Sequence, residues 1–405
     1  MLGRIFGLLL ITIATTSGVA RAQDSWTDRR VTDRARERAP LLVGARGSAT
    51  RARARAEGVG LYPNPSVDYE RQESFAPNAQ AQDLLRVVVP FDLSGRRDAA
   101  RLLAELSADE LETDASSLGL ELAAQALEQF YRALAAERRV TLLGEAQVIL
   151  DEAARILASR QAAGEASGYE RARLSLEAEL SRSGLARATL DVSVSTQELA
   201  GLLGEPGSVG SLSGDFEVAP PASLDELLRR AAQDRPDLAS LERRLAIARS
   251  ARSAAETAWI PTFALFGGYN RQEGPLVGHG YSVGLRLDIP LFDRGQGEQA
   301  EASAAVAALE EYGDVLRIAV RARVAAARTQ LEGMLAERAR FAESTGEATQ
   351  LLVRAATSGF QGGERSLVEL LDARRAALDV AERRLALDLA VRLADVELRR
   401  ATGIR

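Results

Sequence analysis

The sequence is constrained most by one pattern that occurs twice, about 200 residues apart. In the second copy, at 281–295, apolar residues occupy every other position until a proline and a glycine interrupt the alternation. A period of two is typical of a strand with one apolar and one polar face. The first copy, at 85–95, has the same form. Four of its residues recur 200 positions later: Leu85 and Leu285, Arg86 and Arg286, Pro90 and Pro290, and Gly95 and Gly295. Each copy is predicted to be a strand that leads into a helix.

Prolines and glycines extend this duplication to nearly the whole chain. Three prolines precede the long helical stretch of each half at similar spacings: Pro40, Pro65 and Pro90, then Pro236, Pro261 and Pro290. Two glycines 40 residues apart follow it: Gly164 and Gly204, then Gly363 and Gly403. We therefore predict that each half runs helix, strand, loop, strand, long helix, turn and returning helix.

The repeat also predicts the boundaries of the parts. The first repeat is assigned to 23–204 and the second to 224–405. The segment 205–223 is predicted to be a linker, because glycine and proline are frequent in it. The strands are predicted at about 61–71, 83–92, 261–270 and 281–290.

Residues 1–22 have the features of a signal peptide. Arg4 supplies a positive charge, residues 5–14 form a short apolar core, and Ala20-Arg21-Ala22 resembles a cleavage site. The mature chain is therefore expected to be exported. Because no later stretch approaches the ~20 apolar residues that a spanning helix needs, a membrane location would have to depend on strands.

Composition excludes several classes of function. The chain has no cysteine, one histidine and two methionines, so we expect no disulfide, no metal site, no cofactor and no cysteine-linked lipid anchor. A net charge of -6 gives no reason to expect nucleic acid, and the basic stretch 29–55 is predicted to be a solvated helix. His279 is the only histidine that could act as a catalytic base, and it lies in a predicted loop. We therefore predict that the protein is not an enzyme.

The lengths of the predicted elements favour a duct. The strand at 281–290 has ten residues, within the ~9–11 that a tilted strand needs to cross a bilayer. Four strands are too few to enclose a channel, since single-chain membrane barrels begin at about eight, but three chains would supply twelve. A helix of ~70 residues would be ~105 Å long. Alternation alone favours soluble, half-buried hairpins, and the element lengths are what favour the duct.

Short motifs along the chain resemble those of the outer-membrane factor family, the TolC-like exit ducts of efflux and secretion systems. The similar stretches cover about 30–403: Leu61-Tyr62-Pro63-Asn64-Pro65-Ser66, Arg235-Pro236-Asp237-Leu238, Trp259-Ile260-Pro261-Thr262, Asp288-Ile289-Pro290-Leu291-Phe292-Asp293, and the tip motif from Gly362 to Arg374. The Asn64-Pro65 entry and Gly95-Arg96-Arg97 are most similar to the cation-efflux branch of the CzcC/CusC type.

The resemblance implies a fold, a location and partners. It implies a mainly α-helical duct of long coiled-coil helices, an α-barrel continuous with a 12-stranded β-barrel, to which each chain of a homotrimer contributes four strands. The duct would lie in the Gram-negative outer membrane, in contact with its lipid, and extend into the periplasm. It would conduct substrates passively, with a periplasmic adaptor protein and an inner-membrane pump as partners.

The resemblance also implies a gate. In the family, acidic side chains just past the tip motif ring the constriction, and the motif places Glu369 and Asp372 there. At the equivalent positions of the first repeat, Glu170 corresponds to Glu369 and Arg173 corresponds to Asp372. Arg173 could pair with an acid. Rings of carboxylates favour cations. The competing interpretation is that these are ordinary solvated charges.

Docking and lumen residues complete the predicted site. The two helical turns are predicted to meet the adaptor through Gly164, Ser167, Gly168, Gly363, Arg365 and Ser366. Arg86 and Arg286 are predicted to face the lumen of the barrel, because an arginine that faces lipid costs roughly 2–4 kcal/mol at the midplane.

Two alternatives to an efflux duct stay open at this point. One is a related duct of a type I protein secretion system, and the other is an exported soluble coiled-coil scaffold.

Overall fold

The computed structural model describes residues 25–74, 80–162, 167–274 and 277–403. The predicted signal peptide, 1–22, lies outside them. The described elements are α1 (Asp28–Arg38), α2 (Pro40–Glu57), β1 (Ser66–Glu73), β2 (Ala81–Phe91), α3 (Arg96–Ala162), α4 (Gly168–Leu203), α5 (Leu224–Asp234), α6 (Pro236–Ala255), β3 (Thr262–Glu273), β4 (Gly278–Asp288), α7 (Gln296–Gly362) and α8 (Leu367–Thr402).

The two halves of the chain contain matching helices. Helices α3 and α7 each have 67 residues, and α4 and α8 each have 36. At 1.5 Å per residue, the longer pair extends ~100 Å. Helices α2 and α6 both begin at a proline, whose missing N–H is not needed in the first turn.

The returning helices end in the same way in both halves. Gly204 after α4 and Gly403 after α8 have φ values of 64° and 72°, a left-handed conformation that favours glycine. A Cβ atom at Gly204 would lie 2.7 Å from the carbonyl oxygen of Arg38, and one at Gly403 would lie 2.8 Å from that of Asp234. Each glycine therefore lets a returning helix end directly against the boundary between two short helices.

The four strands form one antiparallel sheet in the order β1-β2-β3-β4. The first strand was predicted to begin near residue 61 but begins at Ser66. The reason is that Pro63 and Pro65 have no N–H to donate to a strand ladder. Strands β3 and β4 extend further towards their connecting loop than predicted. His279 consequently lies in β4, and the prediction that it lies in a loop is wrong.

The helices pack side by side around α3. Near the sheet, α2 packs on α3, α3 on α6, and α6 on α7; near the helical turns, α4 packs on α3, α3 on α8, and α8 on α7. Within the described residues this leaves α7 at one edge of the protomer and α2 and α4 at the other. The sheet has β4 at one edge and β1 at the other.

The predicted linker packs against the long helices. Trp26 forms a parallel β-bridge with Leu212 of this segment. The Trp26 amide donates to the carbonyl oxygen of Ser211 at 2.9 Å. On α8, Arg392 donates from Nη2 to a carboxylate oxygen of Asp215 at 2.6 Å. On α7, Arg338 donates to the carbonyl oxygen of Phe216 at 3.1 Å. These hydrogen bonds attach the linker to both helices of the second hairpin.

Among the described residues, no helix is both long enough and apolar enough to cross a membrane.

The prediction of a mainly helical chain with a four-stranded antiparallel part is confirmed.

Candidate functional site

The turn between α7 and α8 is the predicted docking tip of the second repeat. Gly363 has a φ of 79°, and its amide donates to the carbonyl oxygens of Gly359 and Phe360. The amide of Arg365 also donates to the carbonyl oxygen of Gly359, at 3.0 Å. The chain therefore reverses direction within a few residues, which leaves Gly363, Arg365 and Ser366 exposed at the end of the hairpin.

Ser366 and Glu369 form a capping box at the start of α8. The Glu369 amide donates to the Ser366 hydroxyl at 3.3 Å, and the Ser366 amide donates to the Glu369 carboxylate at 2.9 Å. Arg365 also donates to this carboxylate, at 3.1 Å. Hydrogen bonds from the backbone amide and the hydroxyl of Ser366, followed by the charge of Arg365, lower the pKa of Glu369.

The first repeat has the same capping box. The Glu170 amide donates to the Ser167 hydroxyl at 3.1 Å, and the Ser167 amide donates to the Glu170 carboxylate at 2.8 Å. Gly168 is the first residue of α4. Gly164 lies outside the described residues. Because each pair lies at the start of a returning helix, the two tips are built in the same way.

The three predicted gate acids lie in two different environments. The carboxylates of Glu369 and Glu170 are directed back towards their own turns, where each caps a helix. Asp372 is exposed on α8, three residues after Glu369 and hence on the same side of the helix. Arg173 makes no ion pair with the described acids.

Two contacts between the hairpins were not predicted from the sequence. Arg375 on α8 forms paired hydrogen bonds with the Glu177 carboxylate on α4, with Nε 2.8 Å from Oε1. At the end of α3, Arg160 donates to the carbonyl oxygen of Phe360, and its guanidinium lies 4.8 Å from the centre of the Phe360 ring. The sequence does hold a signal for the first contact: opposite charges occupy nearly equivalent positions of the two repeats.

The two faces of the sheet differ in polarity. Over most of its length, the face shared by paired odd-numbered residues is apolar and exposed: Val67, Tyr69, Leu85, Val87, Val89, Leu265, Tyr269, Tyr281, Val283, Leu285 and Leu287. Towards the connecting loops, Arg71, Asp83 and Arg271 lie on the same face. Tyr281 is 90% exposed and Val283 75% exposed. A continuous exposed apolar surface of this extent is unusual in a soluble monomer and is typical of a membrane-facing surface.

Arg86 and Arg286 both lie on the opposite face. Arg86 pairs in register with Gly268, and Arg286 with Ala264. The Arg86 guanidinium lies 5.3 Å from the centre of the Phe266 ring. A Cβ atom at Gly284, which pairs with Phe266 in register, would lie 2.4 Å from the Phe266 Cζ atom. The glycine therefore makes room for the ring that the arginine contacts.

Comparisons with known proteins agree with this architecture. The family described as "Outer membrane efflux protein" matches residues 227–404. The chain is 24% identical over 324 residues to the cobalt-zinc-cadmium resistance protein CzcC of Cupriavidus metallidurans, with 78% of this chain and 75% of CzcC covered. It is 25% identical over 288 residues to the nickel-cobalt-cadmium resistance protein NccC of Alcaligenes xylosoxydans xylosoxydans, with 70% of this chain and 65% of NccC covered.

The fold is also similar to that of a solved channel protein. The chain superposes on CusC with a TM-score of 0.74 at 17% identity, with 93% of this chain and 92% of CusC covered. The resemblance found in the sequence is confirmed: residues 227–404, in the second repeat, match the outer membrane efflux protein family, and the relatives and the shared fold extend over most of the chain.

Proposed function

We propose that this protein is the outer-membrane duct of a tripartite efflux system and passively conducts substrates delivered by an inner-membrane pump and a periplasmic adaptor. The observation that carries the proposal is the exposed apolar face of the sheet. That face would contact lipid, and helices ~100 Å long leave the same sheet on one side. A protein with this shape can extend the exit pathway from the membrane far into the periplasm.

A homotrimer accounts for the free edges of the protomer. Four strands with unpaired edges at β1 and β4 would close into a ring of twelve when three copies meet. The helical edges on the same two sides also carry exposed apolar side chains: Leu41 and Val43 on α2, Leu176, Leu180 and Leu190 on α4, and Tyr312, Val315 and Ile318 on α7. Burial of these side chains between copies would favour association.

Within this duct the turns are proposed to dock the adaptor and the acids to form the gate. Gly164, Ser167, Gly168, Gly363, Arg365 and Ser366 would meet the adaptor. Among the gate candidates, Asp372 is exposed and caps no helix. Glu369 and Glu170 would combine a gate role with helix capping. Arg86 and Arg286 would line the lumen of the barrel. No catalytic step is part of the proposal.

The proposal is tested by deletion of the gene, followed by susceptibility profiling. Because CzcC and NccC are named for metal resistance, cobalt, zinc, cadmium and nickel salts are the first cargoes to test, followed by dyes and antibiotics. Increased susceptibility that the intact gene restores is the expected result. An unchanged profile together with loss of an exported protein would instead identify a secretion duct.

Membrane fractionation provides a second test of the proposed function. An efflux duct should stay with the outer membrane until detergent is added. Extraction by salt or alkali alone would identify an exported soluble scaffold.

A further inference from the structure

A large cleft lies at the junction between the sheet and the helices. It has a volume of about 1220 Å³ and lies over α6, between the first four turns of α3 and of α7. Its floor is lined by small residues of α6, including Ala248, Ala251 and Ala255. The volume exceeds the ~300–1,000 Å³ of typical small-molecule sites, so the cleft has room for a ligand of that class.

The cleft belongs to a single protomer. Its walls come from α3, α6 and α7, which are neighbours within the chain, and from the sheet ends beside Thr262 and Asp288. Helices α2 and α4, at the edge of the protomer, do not line it. Gly295 closes one corner, since a Cβ atom there would lie 2.3 Å from the Ala258 Cβ atom. The site is therefore formed before any assembly of copies.

The charges of the cleft are unbalanced. Five carboxylates line it: those of Glu110, Asp288, Asp293, Glu298 and Glu301. It contains two arginines, and both already have partners. Arg244 pairs with Glu110 at 2.6 Å, and Arg96 donates to the carbonyl oxygens of Ala258 and Ile260. Asp288, Glu298 and Glu301 form no ion pair with described residues and leave the cleft negative.

The fold does not require two of these acids. At the equivalent positions of the first repeat, Val88 stands in place of Asp288 and Arg101 in place of Glu301, whereas Asp98 stands in place of Glu298. The first repeat nevertheless forms the same strand and the same long helix. Asp288 and Glu301 are therefore free to serve a ligand.

The walls of the cleft are apolar in part. Leu103 of α3, Ile247 of α6 and Leu309 of α7 line it, with Ile260 and Leu287 at the sheet end. A hydrated metal ion would gain nothing from this surface, and the described residues contain no group of three or more acidic, histidine or cysteine side chains that could hold a metal. Apolar walls combined with unpaired carboxylates suit a ligand that is both apolar and positively charged.

We propose that the cleft over α6 binds amphipathic organic cations. The apolar part of the ligand lies on the alanine-rich floor, and its positive charge lies near Glu298 and Glu301 at the start of α7. The proposal goes beyond the proposed function, because binding to this site needs neither a pump nor conduction through the duct.

The test compares two probes of the same shape and opposite charge. Tetraphenylphosphonium and tetraphenylborate are titrated by equilibrium dialysis against the purified full-length protein, with protein-free detergent as the blank. The expected result is saturable binding of the cation and none of the anion. Equal binding of both probes would overturn the proposal.

Three variants assign the binding to the cleft. Glu298→Gln combined with Glu301→Gln removes two unpaired carboxylates and should weaken cation binding about fivefold. Ala251→Leu keeps every charge, fills the floor and should weaken binding too. The matched control, Glu343→Gln combined with Glu347→Gln, removes two exposed acids further along α7 and should leave affinity unchanged.

Unchanged affinity in both cleft variants would overturn the proposal, as would an equal loss in the control. Each variant is first shown to melt at the same temperature as the unmodified protein. A loss of efflux phenotype in the gene deletion is a separate measurement, so failure of the duct function and failure of the cation site can be distinguished.

Discussion

Arg375 on α8 and Glu177 on α4 are joined by two parallel hydrogen bonds, although both helices pack on α3 rather than on each other. The Glu177 side chain is 15% exposed and that of Arg375 is 42% exposed. A paired arginine–carboxylate contact has a fixed geometry, which single-point surface contacts lack. The ion pair therefore fixes the position of one helical hairpin relative to the other.

Reversal of these charges tests this contact. Arg375→Glu should destabilise the protein, because two carboxylates would then face each other, and adding Glu177→Arg should restore most of the loss. We expect a coupling energy of about 1 kcal/mol in a double-mutant cycle measured by denaturant unfolding. Additive effects of the two substitutions would show that the pair contributes nothing.

Arg160 tests the second contact between the hairpins. Arg160→Gln removes the cation from the Phe360 ring and from the last carbonyls of α7, and should increase hydrogen exchange at 356–362, with a local loss of about 1–2 kcal/mol. Arg155→Gln is the matched control, because Arg155 pairs only with Glu152 of its own helix among the described residues. Equal exchange in the two variants would contradict the assignment.

The capping box of α8 predicts a dependence on pH. The pKa of Glu369 is lowered in the folded protein from its ordinary value of 4.5. Its contribution is therefore fully present above pH 4.5 and is lost as the pH falls through the lowered value. Amide protection at the start of α8, corrected for intrinsic exchange rates, should fall in acid.

A glutamine variant provides the control for this pH dependence. Glu369→Gln can still accept the Ser366 hydrogen bond but does not titrate in this range. Its protection at the start of α8 should change less with pH than that of the unmodified protein. The same acid-induced loss in both proteins would exclude Glu369 as the cause.

Two glycines of the sheet form a matched pair for a packing test. Gly284→Ala places a methyl group 2.4 Å from the Phe266 ring, so the ring must move, at a cost of about 1–3 kcal/mol. Gly267→Ala meets no atom within 4 Å and should have little effect. Thermal unfolding of the two variants in detergent measures the difference, and equal melting temperatures would contradict the described packing.

The repeat made much of this fold predictable from the sequence. Prolines and glycines mark backbone positions with restricted or left-handed conformations, so their spacing located the helix ends at Gly204 and Gly403. Alternation located the strands. The strand ends were less accurate, because a pairing partner such as β3 can extend a ladder through polar residues that carry no pattern.

The site was predictable only in part. The tip motif identified Glu369, but its capping hydrogen bonds depend on the turn geometry that Gly363 sets. The contacts of Arg375 and Arg160 join residues that are about 200 positions apart, and only the packing of the helices brings them together. The cleft over α6 was not predicted, because its floor consists of alanines that occur throughout the helices and the motif from Asp288 to Asp293 at its edge indicated only the end of a strand.

The central claim is that three copies of this chain close their free edges into one duct. Electron cryo-microscopy of the purified protein in detergent tests this most directly. The account predicts three chains, with β4 of each protomer paired to β1 of the next in a ring of twelve strands and α7 packed against α2 and α4 of its neighbour. A monomer, or an assembly in which these edges stay unpaired, would contradict it.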